Sequence, residues 1–324
     1  MSVNKIVTKV DGTINKTIDF NDLKAGLSAG AHTITVEAYN GATLISTQTR
    51  NITIAAQVTY EAETTTFMNT IAIADDANSS IYTGVSNNGV WLAINEYITD
   101  LKTAAIYNKQ HYNYLKIGDT ATKQAVDLID PTRSGQYFGS WIFGKDGATA
   151  NGTNCYFKTF VNPITLSADS NNFGSSIVVN SYIKLDDYPT VMGIYNGSNI
   201  DRTQLYSAYN GLVDKLGLYF GGELGISVAS PTIAFHTFNR IANTAKYYSN
   251  GVEVRSANGT GYTLANGQFY EGGSNWISQN NAAKNLYKGD LGVSVYHQNL
   301  TASETLAFSN AVSKLETALG RKRY

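Results

Sequence analysis

Residues 245–256 read AKYYSNGVEVRS. Two short runs that alternate between apolar and polar side chains flank Asn250-Gly251, and that dipeptide supplies the two positive-φ positions of a type I′ turn. The stretch is therefore a β-hairpin, and the same pattern spreads outward from it. Between about residues 110 and 300, YNYLKIG, CYFKTFV, GSSIVVNSYIK, TVMGIYNG, LYFGGELGISVA, TIAFHTFNRI and LGVSVYHQ all read as strands, punctuated by Asn196-Gly197, Asn210-Gly211 and Asn266-Gly267. Short strands between regular turn signals predict a large β-sandwich.

The ends of the chain read differently from each other. Residues 3–54 alternate cleanly (VNKIVTKV, TINKTIDF, HTITVEAYN, TLISTQTRNITI), with turns at Asp11-Gly12, Gly26, Gly30 and Asn40-Gly41. This predicts about four antiparallel strands. At the other end, Thr301 is placed as an N-cap with Glu304 three residues on, the spacing of a capping box. Phe308, Val312, Leu315 and Leu319 then form a helical stripe that Gly320 stops. A closing amphipathic helix packed on the sandwich follows. Between these ends, AAQVTYEAETTT (55–66) reads as a polar hinge, FMNTIAIADD (67–76) as a strand, and residues 90–106 as a helix, with Leu92, Ile94, Ile98, Leu101 and Ala105 at helical spacing.

Composition excludes several function classes. With 24 basic and 25 acidic residues in 324, the net charge of -1 gathers no phosphate backbone, so no nucleic acid is expected as a partner. Charged residues are only 15% of the chain, and 22 tyrosines with abundant Asn, Ser and Thr provide the polarity instead. Cys155 is the single cysteine, which rules out an internal disulfide. No apolar run reaches the length of a membrane span and no secretory leader opens the chain, so no membrane insertion is expected.

Two resemblances sharpen this reading. LSAGAHTITVEAYNGATLISTQTRNITI (27–54) resembles the later strands of immunoglobulin-like modules, with Ile34 and Val36 toward the core. Such modules need about seven strands, so residues 1–56 are expected to be an incomplete docking or assembly domain. The 245–256 hairpin and GDLGVSVYHQNLTASE (289–304) are similar to the hairpin and last strand of laminin-G-like, concanavalin A-like lectin sandwiches. The implied fold class is all-β: a small partial immunoglobulin-like sandwich, then a large concanavalin A-like jelly roll over 57–324 with a C-terminal helix. KIGDTATKQAVDLIDP (116–131), GSWIFGKDGATANGTNCYFKTFVNP (139–163) and AVSKLETALGR (311–321) resemble a module of structural proteins of tailed bacteriophages and prophages, over roughly residues 60–324. Cys155 stands where that module commonly has Gly.

The phage resemblance implies a virion surface protein made in the host bacterial cytoplasm. Its expected partners are other virion proteins, further copies of itself (trimeric being the form virion fibres commonly take) and a host surface glycan. A tail fibre, spike or head fibre binding host glycans competes with a purely architectural capsid decoration or connector, and a glycan depolymerase comes third.

The residues favour a non-enzymatic reading. Glycosidases on such sandwiches need two carboxylates flanking the sugar bond. Glu61 and Glu63 have same-face spacing but fall in the expected hinge, while Asp186-Asp187 and Asp75-Asp76 would point to opposite faces of a strand. His32, His111, His236 and His297 show no zinc spacing. No cofactor is expected. Asp75, Asp76 and Asn78 offer hard oxygen donors for calcium, against the commoner role of such residues in capping their own turn. Saccharide sites stack sugar faces on Tyr or Trp and read hydroxyls with amides and carboxylates. FYEGGSNWISQNN (269–281), taken as one loop, contributes Tyr270, Asn275, Trp276 and Gln279. YNGSNIDRTQLYSAYNG (195–211) contributes Tyr195, Asn199, Asp201 and Arg202.

Overall fold

Among the described residues up to Ile54, alternation produces one four-stranded antiparallel sheet. In the computed structural model of the protein, residues 5–10, 13–15, 30–40, 43–54, 58–76, 78–166, 172–183, 189–195, 202–206, 215–220, 226–229, 233–241, 244–258, 266–322 and 324 are described. Strands β1 (Lys5–Val10), β2 (Thr13–Asn15), β3 (Gly30–Asn40) and β4 (Thr43–Ile54) lie in the order β2-β1-β3-β4. Thr33 donates to Asn51 at 3.1 Å, and the hydroxyls of Thr35 and Thr49 share a 3.2 Å bond, so a polar row crosses the β3–β4 ladder. β4 ends that order, an unpaired edge among the described residues. The chain divides into two compact units, Met1–Thr59 and Tyr60–Tyr324.

The second unit is built on two sheets. The first contains β5 (Gln110–Tyr114), β7 (Ile142–Gly144), β8 (Gly147–Asn151), β10 (Asn172–Val179), β15 (Ala234–Ile241), β16 (Thr244–Ser249), β17 (Val252–Asn258) and β21 (Lys288–His297). Its order is β17-β16-β15-β10-β21-β8-β7, with β5 also on β21. The second contains β6 (Gln136–Phe138), β9 (Tyr156–Lys158), β11 (Thr190–Tyr195), β12 (Arg202–Tyr206), β13 (Lys215–Phe220), β14 (Ile226–Ala229) and β18 (Tyr270–Glu271), in the order β14-β13-β12-β11-β18-β9-β6. The short strands β19 (Ser274–Trp276) and β20 (Ala282–Lys284) form a hairpin whose first strand runs parallel to β11. The fold is all-β, a two-sheet sandwich of jelly-roll type. The 245–256 hairpin is β16–β17, with Asn250 at φ 51° and Gly251 at φ 80° as the type I′ turn demands.

Alternation sends the two faces of the first sheet to two different cores. Phe173, Ile177, Tyr247 and Tyr296 face the second sheet, meeting Phe157, Met192, Ile194 and Phe269. Val178, Phe235, Val293 and Val295 face a helical layer. That layer consists of α1 (Ala62–Thr70), α2 (Asn87–Thr103) and the last helix, α5 (Ala302–Ala318); the single-turn helices α3 (Ala121–Gln124) and α4 (Pro163–Leu166) lie in loops. Burial on both faces explains why Ile177, Val178 and Val179 form an unbroken apolar run and do not alternate.

The C-terminal helix forms as its sequence dictates. Thr301 Oγ1 accepts from Glu304 N at 3.2 Å and Glu304 Oε2 accepts from Thr301 N at 2.9 Å, so the capping box is complete. Phe308, Val312, Leu315 and Leu319 are all buried, and Gly320 at φ 65° ends the helix. Thr301→Ala is expected to lower stability by about 1 kcal/mol through loss of this cap, read from the shift of the thermal midpoint. An unchanged midpoint would mean that another group holds the helix start.

The segment 58–76 departs from its reading. FMNTIAIADD is not a strand: Thr64, Phe67, Met68 and Ile71 are buried at helical spacing, and residues 62–70 form α1. Glu61 and Glu63, read as part of the hinge, belong to the second unit: Glu61 stands at the N-cap position of α1 without a side-chain cap bond, and both carboxylates converge on Lys102 of α2 at 2.8 and 2.7 Å. Apolar positions three and four apart override the β-branched composition once α2 offers a face to pack on. The helix expected over 90–106 forms as α2 but ends at Thr103; Ile94, Ile98 and Leu101 are buried as expected, whereas Leu92 is exposed and Ala105 lies beyond the helix at φ 57°.

His297 closes the seam between sheet and helix. Its ring is fully buried against Phe308, its Nε2 lies 2.9 Å from Ser176 Oγ and its Nδ1 lies 2.7 Å from the Gln298 carbonyl. A Cβ on Gly174 would come within 2.3 Å of the ring, so only glycine fits below it. Burial depresses the imidazole pKa to about 4. An unfolded histidine protonates near pH 6.5, so between pH 6.5 and 4 the unfolded state holds more protons. Stability is therefore expected to fall as pH drops through that window, by on the order of 3 kcal/mol from this residue. Urea unfolding of the wild type and His297→Gln as a function of pH isolates the effect; equal slopes in both proteins would contradict it.

Candidate functional site: an aromatic strip on the second sheet

Side chains of β6, β9, β11, β18 and β19 that do not enter the core form a strip. Phe157 on β9 is buried in the core, so its neighbours Tyr156 and Lys158 stand on the opposite face. Tyr156 stacks on Phe138 of β6 (ring centroids 4.7 Å, interplanar angle 6°) and on Tyr270 of β18 (4.8 Å, 22°). Lys158 is in register with Tyr270, and its ammonium sits 5.1 Å from the ring centroid of Phe160, which is 41% exposed. On β11, Ile194 enters the core and Tyr195 faces away with the strip, meeting Trp276 across the parallel pair at 4.6 Å. The indole Nε1 of Trp276 is buried and has no acceptor among the described residues.

The sheet brings together Tyr195 and Trp276, which lie eighty-one positions apart in sequence. Residues 269–281 are not one loop. Tyr270 and Asn275 are buried on β18 and β19, Tyr270 donating to the Asn281 carbonyl at 3.1 Å and Asn275 Nδ2 to the Gln268 carbonyl at 2.8 Å. They support the strip, while Trp276 is half-buried and Gln279 is exposed beside it. The reason is pairing: Glu271 and Ser274–Trp276 both find partners on β11, and this draws the stretch into the sheet. Arg202 occupies the β12 position registered opposite Tyr195. Asn199 and Asp201 lie outside the described residues. Sequence reasoning missed Phe138, Tyr156 and Phe160, although the alternation of CYFKTFV around a core Phe157 held the signal.

The remaining candidates have other work. Asp76 accepts from Asn78 N, Asn78 Nδ2 and Asn87 Nδ2 at 3.0, 2.7 and 2.9 Å, capping its own turn and the start of α2. These bonds, Asn87 first, hold its pKa below the usual carboxylate range. Asp75 accepts from Tyr60 at 3.1 Å. No group of three or more His, Cys, Asp or Glu side chains gathers at metal-binding distance among the described residues. Cys155 is a buried free thiol whose pKa burial raises. Among the described residues, no helix is long and apolar enough to cross a membrane.

No family model and no curated protein matches the chain. Among solved structures, domain 4 of AbnA, an extracellular arabinanase from Geobacillus stearothermophilus in complex with arabinotriose, is similar at 18% identity and TM-score 0.45, covering 62% of this chain and 98% of that one. Trypanosoma rangeli sialidase in complex with sialic acid is similar at 8% identity and TM-score 0.44, covering 86% of this chain and 42% of that one. The binding domain of botulinum neurotoxin serotype D is similar at 10% identity and TM-score 0.40, covering 64% and 52%. The chain thus spans less than half of the sialidase.

Proposed function

We propose that the protein is a non-enzymatic adhesion module of a phage virion surface, whose second unit binds host saccharides on the aromatic strip. The observation that carries the reading is the Tyr195–Trp276 pair, two aromatics brought from distant segments onto one face. A pyranose offers such a surface an apolar face to stack and hydroxyls for side-chain amides to bond. Exposed amides at Gln279, Asn280 and Asn281 adjoin it. The virion setting rests on the motif resemblance over roughly residues 60–324, and assembly into homo-oligomers on the unpaired β4 edge, which a neighbouring strand would cover.

A glycan array probed with the full chain tests this. Retained saccharides should be lost on Trp276→Ala and on Tyr156→Ala, with thermal midpoints close to wild type for Trp276→Ala because that ring is only half-buried. Silence across the array would favour the architectural reading, a capsid decoration or connector without ligand. Shortening of a retained glycan would replace both with a depolymerase.

A further inference from the structure

Lys116 and Glu271 form an ion pair inside the sandwich, 1% and 0% exposed, with Nζ 2.9 Å from Oε2. Neither of these two atoms has a hydrogen-bond partner elsewhere among the described residues. The ammonium is enclosed by rings: its Nζ is 3.4 Å from the Phe157 centroid, 5.1 Å from Tyr114 and 5.3 Å from Tyr137. Tyr296 donates to the other carboxylate oxygen, Oε1, at 3.0 Å. Lys116 also holds φ 54°, a conformation rare for a side chain of its kind. A charged pair in such a place costs more than a nonpolar pair of the same volume, and the aliphatic part of a lysine needs no carboxylate to pack in an aromatic core.

We propose that Lys116 and Glu271 condense after folding into an isopeptide bond that staples the two sheets. The reading is independent of saccharide binding. Burial pulls the ammonium pKa down, which favours transfer of one proton from Nζ to Oε2 along their contact. The neutral amine then attacks Cδ. The new C–N bond places negative charge on Oε1, where the Tyr296 hydroxyl, whose pKa burial raises well above the ordinary value, keeps its proton and stabilises the oxyanion. A second proton passes from nitrogen to Oε2, the Cδ–Oε2 bond breaks, water leaves and the carbonyl re-forms at Oε1. The three ammonium hydrogens account for everything: two depart with Oε2 as water and one stays on the amide. No external acid, base or oxidant enters. Oriented groups in contact react with effective molarities of about 10⁵–10⁸ M, and a dry core does not return the water. The bond would link the chain just after β5, in the first sheet, to β18 in the second.

Intact-mass measurement of the purified full chain under denaturing conditions tests the proposal. The expected mass is lighter than the sequence mass by one water, resolved from loss of ammonia, and proteolysis should yield a branched peptide joining Lys116 to Glu271. Lys116→Met should restore the full mass. Tyr296→Phe, which keeps the pair but removes the oxyanion donor, should slow the conversion on incubation. A folded wild type that retains its full mass after prolonged incubation overturns the proposal, as does a water loss that persists in Lys116→Met.

Discussion

Glu316→Ala is expected to destabilise the second unit by about 3–5 kcal/mol, the cost of leaving a buried charge without its partner. Arg321 and Glu316 are both 0% exposed, and Arg321 Nη2 and Nε reach Glu316 Oε1 at 2.7 and 2.9 Å. The guanidinium also donates to the carbonyls of Lys116 and Leu115 at 3.1 and 2.8 Å, tying the end of α5 to the strand exit that carries Lys116. Removing the carboxylate leaves those carbonyls bound to a cation that has lost its counter-charge in a dry site. Replacing both residues together, as Glu316→Leu with Arg321→Met, should recover much of the loss, since an apolar pair of similar volume often equals a buried ion pair. Urea unfolding followed by tryptophan fluorescence measures both; a loss below about 1 kcal/mol in Glu316→Ala would show that water reaches the site.

Display in many copies is expected to raise attachment by ~10²–10⁴ over the isolated chain. Under the proposed function, a shallow strip stacking one or two sugars would desolvate little area, so single-site affinity should lie on the order of mM to high μM. Linking several such sites converts each later contact into an intramolecular one. Particles carrying Trp276→Ala should then adsorb far less than wild type, because a small loss per site multiplies across copies. Equal adsorption by wild-type particles, Trp276→Ala particles and particles lacking residues 60–324 would remove adhesion as the function and leave the architectural role.

The short-range features of the fold were open to sequence reading. The Asn250-Gly251 turn, the capping box of Thr301 and Glu304, and the stripe Phe308, Val312, Leu315 and Leu319 all depend on residues at most a few turns apart, whose physics is local. The strand reading of 67–76 failed for the same reason in reverse: Phe67 and Met68 gain a helix only because α2 lies beside them.

What tertiary structure alone decided is which distant residues share a face. Alternation indicates that Tyr156 and Phe157 point opposite ways, yet not which of them is inside; the second sheet assigns Phe157 to the core and leaves Tyr156 for the strip. Tyr195 and Trp276 meet through a parallel register that no turn signal announces. Nothing in sequence links Lys116 to Glu271; they become a buried pair because sheet closure brings the chain just after β5 against the inward position of β18. Chain sequence sets which side each residue takes relative to its neighbours, and long-range pairing sets which of those sides meets water.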